Sequence, residues 1–257
     1  RRRIVAALID ELLPSGRDRL IIDVGCGTGA NVAALGKRRT CVGIDVSPEG
    51  IALAREQYAG CEFRVGYAPD DISDLVGSAD LFLLMDVLEH VRDDIALFTS
   101  IMAAAKPGAL ALITVPADPA LWSQHDVTHM HYRRYTPARL SELWRDDALE
   151  PLLMTGLNFR LLPVVRTVRS IERKRGRAIG PGDTDLAMPP GPINGVLTSI
   201  FAGEKSTLVS RLRENRIDPA PSGVSMLAIV RRSESLVNVR TRDHALAAQD
   251  LNDPEQT

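Results

Sequence analysis

The chain is poor in cysteine, carries no large excess of charge of either sign and contains no long apolar run. Each absence removes a class of protein. Only Cys26, Cys41 and Cys61 occur among the 257 residues. They fall in or beside expected strands without an even, spaced framework, so they read as reduced thiols of a cytoplasmic protein rather than a disulfide scaffold. The formal net charge of −2 gives no strong pull toward nucleic acid or an anionic membrane. No apolar run approaches the roughly 20 residues that span a bilayer, and there is no signal-peptide pattern and no internal repeat. The first residue is Arg1 rather than Met, which leaves room for a preceding N-terminal piece. What is present is ordinary: 45% hydrophobic and 25% charged residues, the composition of a globule with a sizeable core.

Along the chain, strands and helices alternate. A helical period over 4–13 stops at Pro14-Ser15-Gly16. Strands are expected at 20–24, 40–46, 61–66, 80–85 and 109–115, with helices at 30–35, 48–58 and 93–105 between them. Ser47 before Pro48 is a helix start, and Lys106-Pro107-Gly108 is a stop. Alternation of this kind predicts a parallel sheet with helices on both faces, and strands so uniformly apolar are buried on both sides. After Pro116 the pattern breaks into a segment dense in His, Tyr, Arg and Trp, followed by a short helix at 136–144 and a strand at 152–159. Residues 161–175 are apolar on one face and basic on the other, 176–192 read as a Gly- and Pro-rich loop, 193–215 as a helical stretch, and 222–232 as a last strand. This divides the chain into a core at 1–159, a helical insertion at 160–221 that caps substrate or a dimer contact, the last core strand at 222–232, and a disordered polar tail at 233–257.

The densest motif is Asp23-Val24-Gly25-Cys26-Gly27-Thr28-Gly29, between an apolar run and a helix. Strand, glycine-rich turn and helix in that order build a nucleotide site, because glycine lets the backbone approach a ligand and the helix N-terminus offers free N–H groups. Gly25-x-Gly27-x-x-Ala30 also satisfies the dinucleotide fingerprint, and Asp45 stands where that fingerprint places its ribose-binding acid, so spacing alone leaves an NAD-dependent oxidoreductase open. Asp23 argues against it. A carboxylate two residues before the first glycine sits badly beside a pyrophosphate and suits a ligand with an ammonium and a sulfonium charge.

Asp23 to Gly29 resembles motif I of class I S-adenosylmethionine-dependent methyltransferases. Met85-Asp86-Val87-Leu88-Glu89-His90-Val91 resembles the fourth-strand motif of their ubiquinone- and menaquinone-type members. The resemblance implies a Rossmann-like seven-stranded α/β fold, mostly parallel with an antiparallel last strand, and S-adenosyl-L-methionine as cofactor. It implies cofactor contacts at Asp23, Gly25, Cys26, Gly27, Gly29, Asp45, Val46, Tyr67, Ala68, Met85, Asp86 and His90, with Met85 and Asp86 beside the methionine moiety and His90 holding the turn. The family carries an acid where this chain has Tyr67, so Asp70 or Asp71 is left to meet the adenine amine. Asp45 can accept both ribose hydroxyls; its plainer reading is a helix cap, a role that fits Ser47 better.

Residues 121–136, which leave the fifth strand, must arch over the cofactor pocket. They resemble a bacterial subgroup with a Trp-Ser … Asp … Gly-His-x-Arg-Arg-Tyr signature, with Met130 replacing the glycine. Three of the chain's five histidines lie here. A histidine can take the proton of an acceptor hydroxyl because its pKa lies near working pH; His131 is the expected base, with His125 next. Trp122, His129, Tyr132 and Arg133 are the expected substrate contacts, Arg133 and Arg134 as clamps for an anion. A metal site from His125, Asp126, His129 and His131 is the weaker alternative, and the other reading of Arg134 and Tyr135 is as locks onto the sheet.

The expected activity is methyl transfer to a hydroxyl of a small molecule or saccharide, with N- or C-methylation as variants. The alternatives are the oxidoreductase and a non-catalytic S-adenosylmethionine-binding partner protein. A nucleic-acid methyltransferase is disfavoured by the net charge and by Met85-Asp86-Val87-Leu88 in place of an Asn/Asp-Pro-Pro-Tyr-like motif. The basic stretch from Val165 to Arg177 suits a peripheral membrane surface or an anionic substrate, or is a plain solvated helix face.

Overall fold

The computed structural model describes residues 1–145, 147–175, 195, 199–201 and 203–233. Its strands are β1 (Gly16–Val24), β2 (Arg39–Asp45), β3 (Glu62–Val65), β4 (Leu81–Met85), β5 (Leu110–Pro116), β6 (Leu149–Leu157) and β7 (Ser225–Arg232). They form one seven-stranded sheet in the order β3-β2-β1-β4-β5-β7-β6. β7 runs antiparallel to both of its neighbours and the other pairings are parallel, as the resemblance implied. The helices are α1 (Arg2–Leu12), α2 (Ala30–Leu35), α3 (Pro48–Gln57), α4 (Ser73–Val76), α5 (Asp94–Ala104), α6 (Gln124–Thr128), α7 (Pro137–Ser141), α8 (Leu162–Arg175) and α9 (Lys205–Arg213).

Successive strand residues point to opposite faces of a sheet, and here each face has its own core. Ile22, Val24, Phe82, Leu84, Ala111 and Ile113 pack with Phe98, Ile101 and Met102 of α5. Ile21, Leu81, Leu83, Leu110 and Leu112 pack with Ile4 and Leu8 of α1, Ile51 of α3 and Leu208 and Leu212 of α9. Leu81 to Leu84 are all 0% exposed, which is why β4 shows no alternation in its sequence. Each side chain so buried contributes on the order of 1.5–3 kcal/mol.

Strand order reverses between β1 and β4, the point at which open α/β sheets bind ligands beyond their strand ends. Most expected elements lie within a residue or two of their predicted bounds; β1 starts four residues early, since Gly16 pairs with Arg39 before a register irregularity, and two other exceptions also have local causes. β6 starts three residues early and stops before Phe159, because Leu149 already pairs with Arg232 past a register irregularity at Pro151. Asn158 then turns left-handed at φ 60°, with its backbone N–H bonded to Glu204. β7 begins at Ser225 rather than 222, since Gly223 lies against the Leu157 backbone where any Cβ would clash.

In the insertion, α8 exposes Val164 and Val168, and its Arg166 pairs with Asp118 at 3.3 Å. The loop expected at 176–192 and the tail beyond Ser233 lie outside the described residues. Among the described residues no helix is long and apolar enough to cross a membrane.

Candidate active site

The turn after β1 takes three left-handed residues, Gly25 at φ 68°, Gly27 at 53° and Gly29 at 80°, a region closed to most side chains. At two of them space is also missing: a Cβ on Gly25 would lie 2.6 Å from Val87, and one on Gly29 2.5 Å from Phe63. Gly27 differs. A Cβ there meets nothing within 4 Å, so its backbone faces open space. Gly27 N donates to Asp45 Oδ2 at 2.8 Å and Ser47 N donates to Asp45 Oδ1 at 2.9 Å. The Asp45 carboxylate thus ties the glycine turn to the end of β2, while Ser47 caps α3 by accepting from Gly50 N.

A cleft of about 670 Å³ opens beside this turn. Gly25, Asp45, Val46, Tyr67, Ala68, Asp86 and His90 line it, together with Val87, Val91 and Arg92. Asp23, Cys26, Gly27, Gly29 and Met85 belong to the turn and strand end around it. Asp23 is 2% exposed and its Oδ2 has no hydrogen-bond partner. Burial lifts this carboxyl to about 7; Asn31 opposes the rise through a hydrogen bond, and the charge of Asp45 adds to it. A buried carboxylate oxygen with nothing to accept from is costly, and it is a seat for a cationic group. Cys26 is different: burial raises its thiol to about 12, which leaves it unreactive. The Asp71 carboxylate accepts from Tyr67 N at 2.7 Å, so it shapes the turn in which the Tyr67 side chain stands 70% exposed. Asp86, left-handed at φ 58°, accepts from Thr114 Oγ1 at 3.2 Å and pairs with Arg1.

The arch after β5 is organised by two buried aspartates. Asp126, 0% exposed, is the third residue of α6, and its carboxylate accepts from Ser123 N at 2.9 Å, closing a capping box. It also accepts from Arg134 Nε at 2.8 Å and lies 3.0 Å from His131 Nδ1. Burial pushes the Asp126 carboxyl upward, but Arg134, Ser123 and His131 together hold it below its usual range. Asp94, on α5, accepts from Tyr135 Oη at 2.6 Å and pairs with Arg133 at 2.7 Å and with Arg139. Residues 131 and 134 therefore go to one aspartate and residues 133 and 135 to the other.

The Arg133 guanidinium also donates to the carbonyls of Val91 and Arg92 at 2.9 and 2.6 Å. Both terminal nitrogens of Arg133 are thus engaged within the protein, where an anion clamp would need them. Arg134 and Tyr135, only 9% and 0% exposed, act as locks onto the sheet. Tyr132 N donates to Glu89 O at 2.7 Å, so the arch rests on the turn after β4 at the rim of the cleft. There the rings of His90 and His131 meet edge-on, centroids 4.7 Å apart. His129 Nδ1 lies 2.9 Å from the His125 carbonyl, and the two rings stack tilted at 4.1 Å. Trp122 and Tyr132 are 38% and 58% exposed.

Sequence reading left Asn31, Glu89 and Asp94 without roles. Asn31 follows the glycine turn by two residues, and its side chain reaches Met85 Sδ at 3.7 Å and hydrogen-bonds Asp23. Glu89 adjoins His90 in the recognised motif, but nothing marks it as buried. Asp94 carries no local sign, because its partners lie some 40 residues away.

The profile of a methyltransferase-domain family matches residues 1–164. Among curated relatives, a ubiquinone biosynthesis O-methyltransferase of Vibrio parahaemolyticus is 26% identical over 160 residues, covering 55% of this chain and 68% of that protein. One of Xanthomonas campestris is 33% identical over 133 residues, covering 49% and 54%; the chain thus spans about half the length of this second relative. Among solved structures, the methyltransferase bound to the Haloferax volcanii Trm112 activator superposes with a TM-score of 0.54 at 18% identity, covering 91% of this chain and 90% of that one. Glycine spacing alone admitted two cofactors; the family match decides between them, and the orphaned Asp23 carboxylate, the open Gly27 and the Asp45 bridge fit the one it selects. The chain belongs to the class I S-adenosylmethionine-dependent methyltransferases.

Proposed function

We propose that the protein methylates an oxygen of a small hydroxylated molecule or saccharide, and that His131 takes the acceptor's proton. The observation that carries this reading is the Asp126–His131 pair. An ionised carboxylate can only accept, so the contact to Nδ1 places the ring proton there and leaves Nε2 bare. The ring is held in one tautomer and orientation against His90, which lines the cofactor cleft. The O-methyltransferase names of the curated relatives support oxygen as the acceptor atom.

Bound in the cleft, S-adenosylmethionine supplies a methyl on a positively charged sulfur, which the acceptor oxygen displaces as the carbon–sulfur bond breaks. The protein's own share is positioning and proton removal. Asp23 receives the donor's ammonium group, Asp45 its ribose hydroxyls, and the Gly27 backbone leaves room for both. His131 Nε2 accepts the hydroxyl proton, and Asp126 stabilises the imidazolium that results. Most of the rate comes from alignment of the two substrates, with general-base help contributing roughly 10²–10⁴-fold. Trp122, Tyr132 and His129 lie on the arch where the body of the acceptor rests.

The test is His131→Ala in the full chain, measured for donor binding by calorimetry and for turnover against a panel of hydroxylated acceptors by mass spectrometry. Donor affinity stays within about twofold and turnover falls at least a hundredfold. Unchanged turnover overturns the base assignment, while methylation confined to amine or carbon acceptors overturns oxygen as the acceptor atom. Trp122→Ala raises KM and leaves kcat nearly unchanged.

A further inference from the structure

We propose that Glu89, His90 and His131 form a binding site for a divalent transition-metal ion, with its open coordination positions toward the cofactor cleft. Each residue offers one ligand atom, and these atoms lie within 4.8 Å of one another. Two imidazoles and a carboxylate are a donor set that suits Zn²⁺, Fe²⁺ or Co²⁺ and leaves coordination positions for water or substrate.

Three independent features go beyond this proximity. First, Glu89 is 1% exposed and its Oε2 has no hydrogen-bond partner, so a fully buried acid carries an oxygen that nothing in the protein uses. Second, His131 is already held as metal-bound histidines are held: Asp126 takes Nδ1 at 3.0 Å and leaves Nε2 for the ion, the carboxylate–histidine–metal arrangement. Third, the other imidazole is anchored as well, by a hydrogen bond from His90 to the His129 backbone. The link from Tyr132 N to Glu89 O, 2.7 Å long, fixes the arch that carries His131 against the turn that carries the other two. An ion at 2.0–2.2 Å from its ligands needs neighbouring donor atoms about 3.3 Å apart. Ligation requires the present separations, all within 4.8 Å, to close to that distance.

The set differs from a cluster confined to the arch. Asp126 is saturated by Arg134, Ser123 and His131, and His129 Nδ1 faces a carbonyl, so the ligands come from two segments 40 residues apart. The site's chemistry builds on the oxygen-methylation reading, although ion binding itself does not. With an ion present, Nε2 of His131 is a ligand rather than the base, so the ion replaces it in activating the acceptor and the base role belongs to the ion-free protein. The ion then polarises the acceptor's hydroxyl, so that its proton leaves to solvent or to a neighbouring base before the oxygen attacks.

The test titrates Co²⁺ into the chelator-treated full chain, followed by calorimetry and visible absorption. One equivalent binds saturably, and Glu89→Gln and His131→Gln each weaken it more than about tenfold, while S-adenosylmethionine affinity stays within about twofold and reports an intact fold. If Glu89→Gln does not fold, His131→Gln gives the same comparison. Absence of saturable binding, or equal affinity in wild type and variants, overturns the site and leaves the base reading of His131 standing. Ion binding with no oxygen acceptor methylated has the opposite meaning: the site holds and the oxygen-methylation reading fails. Where both hold, chelation abolishes turnover and added Co²⁺ or Zn²⁺ restores it.

Discussion

Asp23 and Asp126 are both buried aspartates near the same end of the sheet, one beneath the glycine turn and one inside the histidine arch, and their acidities move in opposite directions. Asp23 has one orphaned oxygen and is lifted to about 7 by burial. Asp126 is buried too, yet Arg134, Ser123 and His131 outweigh its own burial penalty and keep it low. The difference is in who supplies the partners. The protein completes Asp126 itself, which makes it part of the scaffold. It leaves one oxygen of Asp23 without a partner, and in the proposed function a ligand completes it. The linkage signs follow. Asp126 contributes stability that is present above the ordinary carboxylate range and lost on acidification. Asp23 does the reverse: the folded state holds a proton that the unfolded chain has lost, so its contribution declines as pH rises from about 4 to about 7.

The sharpest way to break this comparison is to remove each acid. Asp126→Ala strands Arg134, only 9% exposed, without its counter-charge, and breaking a buried pair this way costs on the order of 3–5 kcal/mol. Chemical denaturation should show that loss, and turnover should fall because His131 is no longer oriented. Asp23→Asn removes a charge the fold does not need. Its stability at pH 8 stays equal or rises, whereas S-adenosylmethionine binding weakens by about 1.5–3 kcal/mol, roughly 10–100-fold, as expected for a lost charged hydrogen bond. If Asp23→Asn instead destabilises the fold while donor affinity holds, the ligand role of Asp23 is wrong.

A smaller effect tests titration directly. With Asp23 near 7, the ionised fraction rises from about 0.1 at pH 6 to about 0.9 at pH 8. Because the donor's cationic group prefers the carboxylate, affinity climbs about tenfold over that range in calorimetry at constant ionic strength. The same titration of Asp23→Asn is nearly flat.

The two regions also differ in how far their sequence discloses them. The donor side is legible because its constraints are local: left-handed glycines, an acid two residues before them and an acid at the end of the next strand all fall within about 25 residues and need no knowledge of packing. The parallel sheet with helices on both faces followed from alternation and its antiparallel last strand from the resemblance, whereas the strand order came with the structure. The arch is different. Its composition announces chemistry, but the roles of Arg133 and Tyr135 depend on Asp94, and that of His131 on Asp126 and its neighbours after β4. Only the folded chain brings those partners together. Arg133 looks like an anion clamp in one dimension and is bonded to Asp94 and two carbonyls in three. Glu89 shows the same limit, since an acid beside a histidine in sequence is usually solvated, and burial is what makes its free oxygen notable.

The smallest effect separates backbone from side chain within the donor site itself. Gly25 and Gly29 are forced by neighbours as well as by dihedral angle, so alanine at either must displace Val87 or Phe63. Gly27 shares their left-handed backbone but has an empty surround. Gly27→Ala should therefore cost the free protein only about 1 kcal/mol of strain, read as a shift of a few degrees in Tm. The added methyl points into the space the ligand needs, so donor affinity falls by more than stability does, and saturating S-adenosylmethionine stabilises the variant less than it does the wild type. Should Gly27→Ala bind the donor as tightly as the parent, the open space above Gly27 is not where the ligand lies. The glycine would then serve the turn alone.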